Sequence, residues 1–122
     1  MAEASALQAN LEALRATFAP MAEFLEAASD FTSTCEATPE GLHVWRTQGD
    51  TGPWIHSRRA PTREVERMLA EFKPSPTNLI VVLGIGTGAL IAALLKRFPN
   101  QRVLALEPNP SLVRTCLNFT DF

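Results

Sequence analysis

A chain of 122 residues can bury one modest core and leaves little room for a second. Hydrophobic residues make up 46% and charged residues 20%, the balance of an ordinary water-facing globular protein. A formal charge of -2 provides no basic face for a polyanion, so nucleic acid is not an expected partner. Cys35 and Cys116 stand far apart without metal-ligand spacing, and both read as buried, reduced thiols with no metal site. The acidic N-terminus lacks the basic-then-apolar order of a secretory signal. No apolar run reaches the ~20 residues of a membrane span. A cytoplasmic location and no membrane partner are expected.

Residues 2 to 29 carry the helical period. Leu7, Leu11, Leu14 and Phe18 recur on one face, and Met21, Phe24, Leu25 and Ala28 continue it. Pro20 between them predicts two helices with a break near Ala19. From residue 31 to 57 the pattern turns extended. Three short antiparallel strands are expected at 31–37, 42–46 and 54–56, with turns at Thr38-Pro39-Glu40-Gly41 and Gly49-Asp50-Thr51-Gly52-Pro53. A second helix is expected from a Thr62 cap, with Val65, Met68, Leu69 and Phe72 inward, Glu64 and Glu66 early and Lys73 late.

Lys73-Pro74-Ser75-Pro76 ends that helix and suggests a boundary: a domain over 1–73, a linker at 74–77 and a second domain from 78 to 122. The pattern after it is α/β. Leu79 to Leu83 is a continuous apolar run, expected of a parallel strand buried on both faces. A helix over 90–98 follows, with Leu90, Leu94 and Leu95 inward. A strand over 102–106 and a helix over 111–118, capped by Ser111, complete the series. The fold class expected is α/β, with an α+β N-terminal part leading into the first β-α-β unit of an incomplete Rossmann-like domain.

The chemistry lies in Val81-Val82-Leu83-Gly84-Ile85-Gly86-Thr87-Gly88-Ala89-Leu90 and in Leu106-Glu107-Pro108-Asn109-Pro110. A glycine turn between a buried strand and a helix brings backbone N–H groups to the helix start, where an anionic ligand group is favoured. Gly84 allows the turn, Gly86 close approach of a ligand, and Gly88 or Ala89 close packing of helix on strand. Glu107 closes the next strand, where a carboxylate commonly accepts ribose hydroxyls. The reading without chemistry is a tight turn followed by an acid that caps a helix. S-adenosylmethionine-dependent methyltransferases usually place an acid two residues before the first glycine, and Val82 stands there. For NAD, the spacing from Gly84 to Glu107 is slightly longer than the usual ~20 residues.

Taken together, Asn10-Leu11 in the helical start, the stretch Trp54-Ile55-His56-Ser57-Arg58-Arg59-Ala60-Pro61 through Arg67, the glycine turn and Leu106-Glu107-Pro108-Asn109-Pro110 resemble the motility accessory factor (Maf) family of flagellin glycosyltransferases. The resemblance spans nearly the whole chain. The His-Ser, Pro, Glu pattern ahead of the turn is its more specific part. It implies a small N-terminal domain and the start of a Rossmann-like central domain. It also implies transfer of a sialic-acid-like nonulosonic sugar from a CMP-activated donor to flagellin Ser or Thr, with no tightly bound cofactor. A related archaeal group with the same central domain makes a pterin diphosphate, so fold alone does not fix the reaction.

The nucleotide-binding candidates are therefore Gly84, Gly86, Thr87, Gly88 and Glu107, and no catalytic residue is assigned. His56, Ser57 and Arg58 either contact a phosphate or merely satisfy the junction ahead of the helix. His43 reads as a surface or packing residue, and Trp45 and Trp54 as core. Two alternatives stand beside the glycosyltransferase: an S-adenosylmethionine-dependent methyltransferase, and an interaction domain in which residues 1–73 dock a partner. The chain reads as an N-terminal piece of a larger protein, and a lone parallel strand pair would self-associate through its open edge.

Overall fold

The computed structural model describes residues 5–29, 35–46, 51–120 and 122. Helix α1 covers Ala6–Ala27, strand β1 Cys35–Ala37, β2 His43–Trp45 and α2 Pro61–Leu69. They are followed by β3 Ile80–Leu83, α3 Ala89–Arg97, β4 Val103–Leu106 and α4 Pro110–Phe119. β1 and β2 pair antiparallel, with Glu36 opposite Val44. β3 and β4 pair parallel, Ile80 to Leu83 against Val103 to Leu106 in step, with α3 as the crossover. The class is mixed helix and strand.

α1 starts under a Ser5 cap whose hydroxyl accepts the Gln8 N–H, and it bends rather than stopping. The break sits at Phe18, with φ -151° and ψ 81°. Pro20 has no N–H to give Ala16, and its ring displaces that carbonyl, so the helix must open in the preceding turn. The bend also rotates the second half. Ala22 and Leu25 are buried there, whereas Phe18, Met21 and Phe24 face outward, contrary to the sequence expectation. Arg114 of α4 donates to the carbonyls of Leu25 and Glu26, placing a cation on the unsatisfied end of α1.

The third strand of the expected meander is reduced to one bridge, Arg46 to Trp54. Residues 31–34 and 47–50, which carry parts of the first strand and the second turn, lie outside the described residues. α2 begins at Pro61 on an Ala60 cap, not at Thr62. Pro61 is preset for the first helical position, and the Thr62 N–H is satisfied by Glu40 Oε2 from the β1–β2 turn. Val65 and Leu69 point inward while Met68 and Phe72 do not.

One cluster of buried side chains draws on both sides of the proline segment. Trp45, Val65 and Leu69 meet Ile80, Val82, Ile85, Ile91, Leu94 and Cys116. In α3 the inward residues are Ile91 and Leu94, and Leu95 is exposed. β3 is buried on one face only. Val81 and Leu83 look outward with their register partners Leu104 and Leu106, forming an uncovered aliphatic strip in which Leu83 is 80% exposed. The expectation of a doubly covered strand fails because among the described residues no helix lies on that side. Cys35 is exposed on β1, correcting the reading of two buried thiols, and Cys116 is fully buried.

Asn10 closes the molecule. Its amide donates to the carbonyls of Leu117 and Thr120, both at 2.8 Å, and its Oδ1 accepts the Phe122 N–H. An amide therefore ties α1 to the end of α4 from a nearly dry position. Asn10→Ala strands two carbonyls at a site largely closed to water, and should cost about 2 kcal/mol in urea unfolding. Burial pushes the Cys116 thiol up to about 12 from its ordinary value of 9.0, outweighing the opposing hydrogen bond with Thr120. A raised thiol favours the folded state below its unfolded value, and that contribution is lost as pH rises towards 12. Thermal midpoints should therefore fall above pH 9, and Cys116→Ala should flatten that alkaline limb.

Candidate functional site

The connection from β3 to α3 is built by three glycines with positive φ, and by a threonine that is almost entirely buried. Gly84 donates its N–H to Leu106 O at 2.8 Å, which carries the strand ladder one residue further. Gly88, at φ 82°, is the residue from which α3 starts. A Cβ there would lie 2.5 Å from Cys116 Sγ and 2.9 Å from Phe122 Cζ, so α4 can approach only because the side chain is missing. Gly86 is different: a Cβ would meet Ile55 Cγ2 at 3.4 Å and His56 Nε2 at 3.6 Å. Thr87 Oγ1 accepts the Ala89 N–H, and its carbonyl accepts the Thr120 hydroxyl. Among the described residues the N–H groups of Gly86 and Thr87 have no acceptor.

Glu107 stands where the sequence expects it, at the mouth of the turn, and its two oxygens are both engaged. Oε2 accepts the Ile85 N–H and Oε1 the Asn109 N–H, each at 3.1 Å. A carboxylate beside backbone N–H groups at a helix start is stabilised by the same donors that would hold an anionic ligand. Each oxygen keeps a further lone pair for a hydroxyl. The helix cap expected of Ser111 belongs to Asn109, whose Oδ1 accepts the Ser111 N–H.

The junction residues divide. His56 is a non-glycine residue with positive φ, 68°, a conformation that costs about 1 kcal/mol. It turns the imidazole between Glu64 and the glycine turn. Nδ1 lies 3.6 Å from Glu64 Oε2, the ring is only 13% exposed, and Nε2 is the edge that faces Gly86. Ser57 serves its own backbone, its Oγ accepting from Arg59 and Ala60 while its N–H donates to Glu64 at 2.6 Å. Arg58 makes a bidentate pair with Glu36 and lies over the Trp54 ring, so its guanidinium is directed at β1 and not at the turn. Trp45 is core as expected; Trp54 is a half-buried platform for Arg46 and Arg58. His43 stacks on Phe119 at 4.4 Å, a packing role.

The structure thus brings His56 and Glu107 to the same turn, along with Gly84, Gly86, Thr87 and Gly88, and leaves Ser57 and Arg58 at the junction. It adds Glu64, which the sequence marks only as a first-turn acid, and Glu36 as the counter-ion of Arg58. A groove of about 490 Å³ opens between α2 and α3, walled by Val65, Leu69, Ala92, Ala93 and Lys96. It touches the turn at Thr87 and bypasses Gly84, Gly86 and Glu107, so its apolar walls and the polar turn are separate features.

With this geometry in view, the fold has a solved counterpart. The chain is similar to the MAf glycosyltransferase from Magnetospirillum magneticum AMB-1, with a TM-score of 0.68 and 17% sequence identity. The likeness covers 95% of this chain and 24% of that one. The fold of this chain is therefore like that of the matched part of its neighbour, and the chain spans about a quarter of that neighbour's length. No protein-family profile and no curated protein sequence matches it.

Gly88→Ala tests the packing assignment. Strain at positive φ and the overlap with Cys116 should cost about 2–4 kcal/mol. The loss should be less than additive with Cys116→Ala, measured by a double-mutant cycle in urea.

Proposed function

We propose that this chain is an N-terminal portion of a Maf-type flagellin glycosyltransferase, and that its glycine turn helps form the site for a CMP-activated nonulosonic sugar. The observation that carries the reading is the likeness across 95% of the chain to a MAf glycosyltransferase. The motifs of the turn and of the His56 junction are consistent with it. In this reading residues 1–73 and 78–122 belong to successive domains of the parent, and flagellin Ser or Thr is the acceptor.

The N–H groups of Gly86 and Thr87, which have no acceptor among the described residues, would meet a phosphate oxygen at the start of α3. Glu107, already oriented by Ile85 and Asn109, would accept a ribose hydroxyl on its remaining lone pairs. His56 would flank the nucleotide over Gly86. No residue of this chain is assigned to the transfer step itself. The catalytic groups in this reading lie in the remainder of the parent.

A methyltransferase would use the same turn and acid for the adenosine of S-adenosylmethionine, so ligand response separates the two. Thermal stability is measured against CMP, S-adenosylmethionine and NAD. CMP alone should raise the midpoint, corresponding to ~2.7 kcal/mol at a hundred times its dissociation constant. Gly86→Val, which crowds Ile55 and His56 at a backbone φ of 54°, should abolish the shift. A shift with S-adenosylmethionine alone overturns the glycosyltransferase reading.

A further inference from the structure

We propose that Glu64 is a positioning residue for His56: it holds the imidazole proton on Nδ1, so that Nε2 faces the glycine turn as an acceptor for a hydroxyl of the bound nucleotide. The inference deepens the nucleotide-site reading and rests on it. Four observations lead to it. His56 is held in a left-handed backbone conformation that an L-residue adopts at a cost, and the effect is to swing its ring away from solvent onto the turn. Nε2 is the edge of the ring that faces Gly86. The opposite edge, Nδ1, lies 3.6 Å from Glu64 Oε2. That same oxygen is anchored at 2.6 Å by the Ser57 N–H, so the carboxylate cannot follow the ring wherever it turns.

The consequence is chemical. A carboxylate accepts and does not donate, so the ring nitrogen beside it is the one that carries hydrogen. In the neutral ring the other nitrogen then has a lone pair. That nitrogen can accept from an O–H and has no hydrogen to offer a phosphate oxygen. His56 is therefore assigned to a ribose or sugar hydroxyl, while phosphate remains with the N–H groups of Gly86 and Thr87. Arg58, the nearest guanidinium in sequence, is spent on Glu36. Among the described residues the ion pair made by His56 is with Glu64.

The test is nitrogen-15 NMR of the histidine rings in the 122-residue protein, with and without CMP. Protonated and lone-pair ring nitrogens resonate far apart, so the tautomer is read directly. His56 should show a protonated Nδ1 and a lone-pair Nε2, and Glu64→Ala should move the population towards the Nε2–H form. CMP should bind roughly tenfold more weakly to Glu64→Ala and to His56→Gln, the loss of about one hydrogen bond. The double variant should be no weaker than His56→Gln alone, because Glu64 acts through the ring. Glu64→Asp should recover part of the Nδ1–H population.

An Nε2–H ring in the wild-type protein overturns the assignment, as does Glu64→Ala weakening CMP equally with and without His56. Protonation of both nitrogens in the CMP complex overturns the hydroxyl in favour of phosphate. An Nδ1–H ring in a protein that CMP leaves unchanged overturns the nucleotide reading, and the positioning role with it.

Discussion

The approach of α4 onto the first turn of α3, made possible by the bare Cα of Gly88, fixes where most of the chain can lie. Cys116, Phe122 and Thr120 crowd that space together, and Thr120, one turn beyond Cys116, bonds the carbonyl of Thr87. α4 then provides a platform for α1, which is locked at one end by Asn10 and at the other by Arg114. A helix distant in sequence is thus held through the packing of a single glycine. A side chain at position 88 would push α4 outward and loosen α1 as well. The glycine turn is crowded at Gly88, lies in van der Waals contact with Ile55 and His56 at Gly86, and faces solvent at Gly84.

Carboxylates do much of the local work in this molecule. Glu40 receives the first free N–H of α2, Glu64 the N–H of Ser57, and Glu107 those of Ile85 and Asn109. Each sits where a chain reversal or helix start leaves N–H groups without an intrahelical acceptor. Side chains from elsewhere in the fold thus supply what local caps would otherwise supply. This use of acids is why an ordinary charge balance can accompany an ordered set of turns, and why Arg58 and Glu36 neutralise one another on the surface beside them.

How much of this was readable in the sequence depends on how local the cause is. The four elements from Ile80 onwards fall within a residue or two of expectation, because glycine, proline and asparagine punctuate them. Which faces are buried is set at long range, and there the reading fails. Leu95 is exposed and Ile91 is not, Phe24 turns out where the bend at Phe18 rotates the helix, and Val81 and Leu83 lack a covering layer. The expected Thr62 cap gives way to Pro61 and Glu40 because the acceptor arrives from another turn. Motif spacing places Gly84 to Gly88 on the β3–α3 connection and Glu107 just past β4, where the structure has them. It does not reveal that Glu107 is already doubly bonded, that Arg58 faces Glu36, or that His56 is backed by Glu64. Those partnerships join residues with no periodic relation in the chain.

The double engagement of Glu107 has a mechanical meaning. One rigid carboxylate group joins the β3–α3 turn to the entry of α4, so the two loops cannot move independently while both bonds persist. A hydroxyl that draws the carboxylate towards itself strains both attachments together. α4, which begins at Pro110 just past Asn109, in turn packs against α1.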